Sequence, residues 1–231
     1  MSHKKAFLFG YSQRSIFLTK ELQKKGFSLS IIVSDKESYD KAKEDGYDDV
    51  MQLDMTNDEA LERLNIDKKD HLVCVMRDSH FNVFLTLSLH ALFPKNRIIA
   101  LSDSSHTTQK LKMAGATKVI DLYQVSANRI YNILHKPVAT QMIEQLFSPT
   151  TTFSLREITI PQNSSLDNKM VDDIDFSNQG VILIGMIDKK LSQQFIFITS
   201  GLEHQLNYGD VLVCIGYDED LDRFERYIRV A

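Results

Sequence analysis

Along the first half of the chain, short unbroken apolar runs alternate with segments whose apolar residues recur every three or four positions. The runs read as buried strands, and the recurring positions as helices packed through one face. Residues 5–10 predict a first strand. A helix follows, with Ile16, Phe17 and Leu22 in its apolar stripe and Gly26 as its stop. Further strands are predicted at 29–33, 50–53, 72–76, 97–101 and 118–122. Helices fall between them at 35–44, from Thr56 through Leu64, at 81–93 and at 107–114. Thr56 and Glu59 have the T-x-x-E spacing of a capping box. Six such strand units within the first ~120 residues predict an α/β fold, a Rossmann-like parallel sheet with helices on both faces.

The pattern then changes. Residues 125–134 and 138–147 predict two apolar helices broken at His135-Lys136-Pro137. Ile130, Ile133 and Leu134 share one stripe, and Met142, Ile143, Leu146 and Phe147 the other. Ser148-Pro149-Thr150-Thr151-Thr152 is turn-rich and reads as a linker. Beyond it, strands are predicted at 155–160, 181–187, 195–198 and 211–215, with a short helix at 169–174 and a last one at 221–228. The expected organisation is a Rossmann-like domain over 1–123, a bent helical arm over 124–147, a linker over 148–154 and a small α+β domain over 155–231.

Composition narrows the function classes. Hydrophobic residues make up 43% of the 231, which suits a packed core. A net charge of −4 gives no general attraction to nucleic acid or anionic lipid. The longest apolar runs are too short to cross a bilayer, and the N-terminal one is too short for a signal peptide. The chain is expected in the cytoplasm; work at a membrane requires another component to hold it there, or a longer product of which this is one part. Cys74 and Cys214 each lie in an apolar run and read as buried thiols. The seven histidines show no local ligand spacing, and no metal site is expected.

The candidate chemistry starts at Gly10-Tyr11-Ser12-Gln13-Arg14-Ser15, between the first strand and the first helix. This has the grammar of the dinucleotide fingerprint G-x-G-x-x-G, with serines at the second and third glycine positions. Gly10 keeps the tight turn. Ser12 stands where a pyrophosphate approaches the backbone, and Ser15 where the helix packs on the sheet. The helix N-terminus and Arg14 offer positive charge. Asp35, about 20 residues past Ser15, ends the second strand where the fingerprint places an acid for ribose hydroxyls. Its neighbour Lys36 suits a phosphorylated ribose. Asp54 ends the third strand within reach of an adenine edge, and Arg77-Asp78 follow the fourth. Asp35 and Asp54 read equally well as helix caps or turn residues, so a bound ligand and a plain turn both stay open. No nucleophile elbow, kinase signature or paired-carboxylate motif is present, and no enzyme activity is expected.

The order of Gly10-Tyr11-Ser12, Ser34-Asp35-Lys36, Leu53-Asp54, Asp78-Ser79-His80-Phe81-Asn82 and Leu111-Lys112-Met113-Ala114-Gly115-Ala116 resembles the N-terminal RCK domain (regulator of K⁺ conductance, TrkA-N). Arg156-Glu157-Ile158-Thr159-Ile160-Pro161 and Tyr208-Gly209-Asp210-Val211-Leu212 resemble its C-terminal (TrkA-C) partner. The resemblance covers nearly the whole chain. It implies a cytoplasmic ligand-sensing module that regulates potassium flux. Copies pair through helices 124–147 and assemble into an octameric ring under a potassium channel pore or a Trk/Ktr-type transporter. It further implies an adenine nucleotide, NAD(H), NADP(H), ATP or ADP, against Gly10, Ser12, Gln13, Arg14, Ser15, Asp35, Lys36, Asp54, Arg77 and Asn82; assembly without a nucleotide is the alternative. Calcium-gated members carry carboxylates at the ends of strands four and five. Val75, Met76 and Leu101 stand there in this chain, with Asp103 the one acid.

Overall fold

The computed structural model describes residues 5–148, 151–190, 194–198 and 204–229. Pro149 and Thr150 of the expected linker lie outside the described residues. The chain divides into two compact units, Met1–Tyr131 and Asn132–Ala231.

The first unit alternates strand and helix: β1 (Lys5–Phe9), α1 (Gln13–Lys24), β2 (Ser28–Val33), α2 (Lys36–Glu44), β3 (Val50–Gln52), α3 (Asp58–Glu62), β4 (His71–Cys74), α4 (Ser79–Leu92), β5 (Arg97–Ser102), α5 (Ser105–Met113) and β6 (Lys118–Asp121). All strand pairs are parallel, in the order β3-β2-β1-β4-β5-β6. The chain winds outward from β1 to β3, then returns to the other side of β1 through β4. The strand order therefore reverses between β1 and β4, where open sheets of this kind bind ligands.

Alternate residues of each strand serve opposite faces. Phe7 and Phe9 of β1 join Leu72, Cys74, Ile98 and Ala100 under Leu85 and Leu89 of α4. Ala6, Leu8, Val73 and Val75 face the other way, toward Leu18 and Leu22 of α1. Burying such a side chain contributes about 1.5–3 kcal/mol over leaving it in water, so continuous apolar strands settle the sheet as the middle layer.

Three expectations are corrected. Phe17 is 77% exposed and outside the stripe. The face of α1 that meets the sheet runs through Ser15 and Thr19, both fully buried, and Phe17, two residues from each, points the opposite way at 3.6 residues per turn. Thr56 does not cap α3. Asn57 does, its side chain accepting from Ala60 N–H, while the Thr56 hydroxyl donates to Asp54 at 2.6 Å. A carboxylate two residues back is the stronger acceptor. Residues 169–174 form only a 3₁₀ turn, Val171–Asp173. Met170 pairs with Gln205 as an isolated antiparallel bridge, and Val171 N–H donates to His204 C=O, which removes groups a helix needs.

α6 (Leu122–His135) begins in the first unit and ends in the second. None of its residues is buried. α7 (Pro137–Phe147) starts on the proline that ends α6, where a missing N–H does no harm. The second unit continues with β7 (Phe153–Thr159), β8 (Val181–Ile187), β9 (Phe195–Phe197), β10 (Val211–Tyr217) and α8 (Asp218–Arg229). Its strands form an antiparallel sheet in the order β7-β10-β8-β9. Ile158, Met186, Leu212 and Cys214 pack under Leu221, Phe224 and Ile228 of α8. Arg156 of β7 ties the sheet to α8 through Asp218, Asp222 and Glu225. No helix among the described residues is long and apolar enough to cross a membrane.

Two outcomes follow. Burial pushes the thiols of Cys74 and Cys214 up to about 12, so the thiolate is scarce at pH 8. Neither cysteine should react with a disulfide reagent in the native protein at that pH, and both should react once guanidinium unfolds it. Gly115, just beyond α5, has φ +97°, and a Cβ there meets the His90 ring at 2.2 Å. Gly115→Ala should lower the unfolding free energy by about 2 kcal/mol or more in urea titration.

Candidate functional site

The turn after β1 is held from two sides. Gly10 N–H donates to Ile32 C=O of β2 at 2.8 Å, and Val75 N–H after β4 donates to Phe9 C=O at 3.0 Å. Gly10 has φ +106°, and a Cβ there would lie 2.9 Å from Met76 Sδ and 3.3 Å from Met76 Cα. Only glycine suits both the dihedral and the gap. Tyr11 then turns into the core, edge-on to Tyr47 with ring centroids 5.7 Å apart. Its hydroxyl donates to Asp45 at 2.6 Å. Burial, reinforced by that bond, holds the phenol well above its ordinary value.

Ser12 is the N-cap of α1, with φ −155° and ψ 177°, an extended conformation open to any residue. The glycine missing here is not needed by the backbone. Ser12 N–H donates to Ser15 Oγ at 2.9 Å, and the Ser15 hydroxyl donates to Ser12 C=O at 3.0 Å. Ser12 Oγ accepts weakly from Arg14 N–H at 3.4 Å. The two serines thus form a reciprocal cap, and buried Ser15 still lets α1 sit close on the sheet.

A crevice of about 330 Å³ opens at the carboxyl ends of β1, β2 and β4. Gly10, Ser12, Asp35, Ser38 and Arg77 supply its polar rim, and Val33, Val75, Met76 and Phe81 its apolar wall. It continues past Ser12, Asp35 and Arg77 into an adjoining pocket with Gln13, Glu37 and Lys41. Asp35 caps α2: one carboxylate oxygen accepts Ser38 N–H at 2.8 Å, the other the Ser38 hydroxyl at 3.0 Å. Each oxygen keeps a further lone pair, so cap and ligand acceptor are compatible roles. Asp78 caps α4 by accepting from the Phe81 and His80 amides, which hold its carboxyl below the ordinary range.

The structure brings together Gly10, Ser12, Gln13, Asp35 and Arg77 and separates the other expected site residues. Arg14 is outside the lining and pairs with Asp103 at 3.5 Å. Ser15 lies buried beneath the turn. Lys36 is exposed and outside both pockets. Asp54 is also outside them, exposed, its carboxyl held low by the Thr56 hydroxyl and amide. Asn82 is 1% exposed. Its Oδ1 accepts Met76 N–H at 3.3 Å, and its amide donates to Leu101 C=O at 2.9 Å. It joins the ends of β4 and β5, so its place in the site is structural. Ser38, Phe81 and Lys41 were missed: Ser38 is three residues past the Asp35 cap, a spacing that signals it, whereas Phe81 and Lys41 reach the rim only through the packing of α4 and α2. Where calcium-gated members hold acids this chain has Met76 and Leu101, and Asp103 is engaged by Arg14 and the Ser79 hydroxyl.

The arrangement can take an elongated ligand that offers hydroxyls to Asp35, negative charge to Arg77 and the α1 N-terminus, and a flat apolar face to Val33 and Phe81.

The TrkA-N domain family matches residues 6–122 and the TrkA-C domain family residues 155–229. Over 223 residues the chain is 26% identical to potassium channel protein 1 of Methanocaldococcus jannaschii, covering 95% of this chain and 65% of that protein. It thus spans about two thirds of that relative's length. The fold is similar to the crystal structure of the GsuK RCK domain, at 20% identity and a TM-score of 0.50, over 100% of this chain and 48% of that one. It is also similar to the human SLO3 gating ring, at 15% identity and a TM-score of 0.66, over 95% of this chain and 45% of that one. The chain belongs to the TrkA-N domain family, with a TrkA-C domain following it.

Asn82→Ala should strand the Met76 amide and the Leu101 carbonyl in the interior. We expect a loss of about 2 kcal/mol in urea unfolding; an unchanged midpoint contradicts the stapling role.

Proposed function

We propose that this chain is a ligand-sensing gating module acting on potassium flux through a channel pore, on the cytoplasmic side, and that it binds rather than transforms its ligand. The observation that carries the reading is the crevice at the β1/β4 reversal, where Gly10, Asp35 and Arg77 converge in a TrkA-N domain. An adenine nucleotide, NAD(H), NADP(H), ATP or ADP, has the matching parts: ribose hydroxyls for Asp35, phosphates for Arg77 and the α1 N-terminus, and a base for the apolar wall. Arg77 is the favoured phosphate partner because it lines both pockets, whereas Arg14 is already paired. A ligand of this kind gates by preferring one arrangement of the assembly over another.

The arm supports pairing of copies. Ile130, Ile133 and Leu134 of α6 and Met142, Ile143 and Phe147 of α7 are all exposed, apolar side chains that a partner surface would shield from water. A second copy covers it in this reading, and pairs build the octameric ring. The TrkA name of the matched family gives a second reading, a regulatory subunit of a separate potassium transporter; a pore encoded in the same polypeptide decides for the channel.

Calorimetry with NADH, NADPH, ATP and ADP should reveal at least one ligand with a Kd of about 1 mM or tighter. Arg77→Ala should weaken it roughly tenfold or more, while Ser12→Gly should change it less than about threefold, since the backbone there is unstrained. No binding by any of the four at about 5 mM overturns the nucleotide reading. For the arm, Ile133→Glu with Ile143→Glu should halve the dimer mass seen by light scattering.

A further inference from the structure

The second unit holds a convergence of side chains unrelated to the crevice. Asp188 follows β8, His204 precedes the bridge at Gln205, and Asp210 precedes β10. One ligand atom from each lies within 4.8 Å of the others. Asp188 is 2% exposed and Asp210 fully buried. The backbone positions all three. Asp210 accepts the Lys189 and Asn207 amides at 3.0 and 2.8 Å, Asp188 accepts the Lys190 amide at 2.6 Å, and His204 C=O accepts from Val171 N–H at 2.9 Å. The nearby Lys190 ammonium is directed to the Asn207 side-chain carbonyl.

His204 Nε2 is the informative atom. It is buried and has no hydrogen-bond partner, although Asp188 Oδ2 stands 3.0 Å away. Its direction misses that oxygen. A neutral imidazole nitrogen and two buried carboxylates, each with an atom within 4.8 Å of the others, gather lone pairs that a positive charge among them stabilises. A proton on Nε2 serves one pair of atoms along one line. A cation at the shared point serves all three. Each carboxylate oxygen can accept an amide and still present a lone pair. A mixed nitrogen and oxygen set matches zinc-class divalent ions, whereas calcium and magnesium prefer all-oxygen shells.

We propose that Asp188, His204 and Asp210 form a binding site for a divalent transition-metal ion of the zinc class, with a water molecule free to take a fourth position. The ion ties together the loop after β8, the segment entering the Gln205 bridge and the turn into β10.

The test uses the full chain stripped with chelator and dialysed. Zinc at ~100 µM should raise the melting temperature by roughly 5 °C and load one metal per chain by mass spectrometry, while calcium and magnesium at the same concentration should not. His204→Gln and Asp188→Asn, each made separately and checked for native circular dichroism, should lose the bound metal and the shift. Asp210 is left intact because it holds its turn. X-ray absorption at the zinc edge should show nitrogen and oxygen neighbours with no sulfur. The proposal is overturned by no zinc-dependent shift, by an equal shift in both variants, or by a His204-dependent transition that follows pH alone and is the same with chelator and with zinc.

Discussion

Between β1 and β4 the parallel sheet changes the direction in which its connections run, and both strands must release the chain into one gap. Gly10 makes that gap passable. Its backbone passes so close to Met76 that a methyl group would press on that residue's sulfur and backbone at once. The same approach lets Val75 N–H reach Phe9 C=O and keeps the two strand ends in register. The crevice is the space left above this contact. A bulkier residue at position 10 would have to displace Met76 and adopt a positive φ that side chains disfavour, so the turn and the crevice wall share one packing constraint.

The serines on the far side of that turn show how a fingerprint can be altered without being lost. At position 12 the backbone is extended and asks nothing of glycine. At position 15 the helix does have to lie close to the sheet, and a serine is small enough when its hydroxyl is folded back onto the Ser12 carbonyl. The change gives the helix a self-contained cap and engages the Ser12 amide, a donor the glycine version leaves free for phosphate. Positive charge at the site therefore rests more on Arg77 than in a glycine-rich turn.

The alternation of apolar runs and helical stripes pointed to the parallel sheet, because burial on both strand faces writes itself into consecutive residues, and to the proline-broken helices and a small α+β unit, whose antiparallel pairing only the structure reveals. What stayed hidden depends on partners distant in sequence. Asn82 opens a helix in a suggestive motif, and only the tertiary bonds to Met76 and Leu101 reveal a staple. Asp54 ends a strand on the right side of the sheet, yet Thr56 draws its carboxylate away. Phe17 looked like core because it is large and apolar, but the close-packed face of α1 goes to small polar residues. Asp188, His204 and Asp210 meet across loops with no local ligand spacing, so scanning for histidine motifs passes over them.

The charges around the crevice nearly balance: Asp35 and Asp78 against Arg77, with Glu37 and Lys41 just beyond. Such a site attracts a phosphate ligand weakly at long range and must discriminate through short contacts. Weak binding is no handicap for the proposed role. Taking a two-state element from 1:99 to 99:1 needs about 5.5 kcal/mol of differential binding. Eight copies switching together, as proposed for the ring, share that between them, and each supplies about 0.7 kcal/mol. One charge-assisted contact made in one state and loosened in the other exceeds this. Arg77, exposed and lining both pockets, is placed to make such a contact in one state and loosen it in the other.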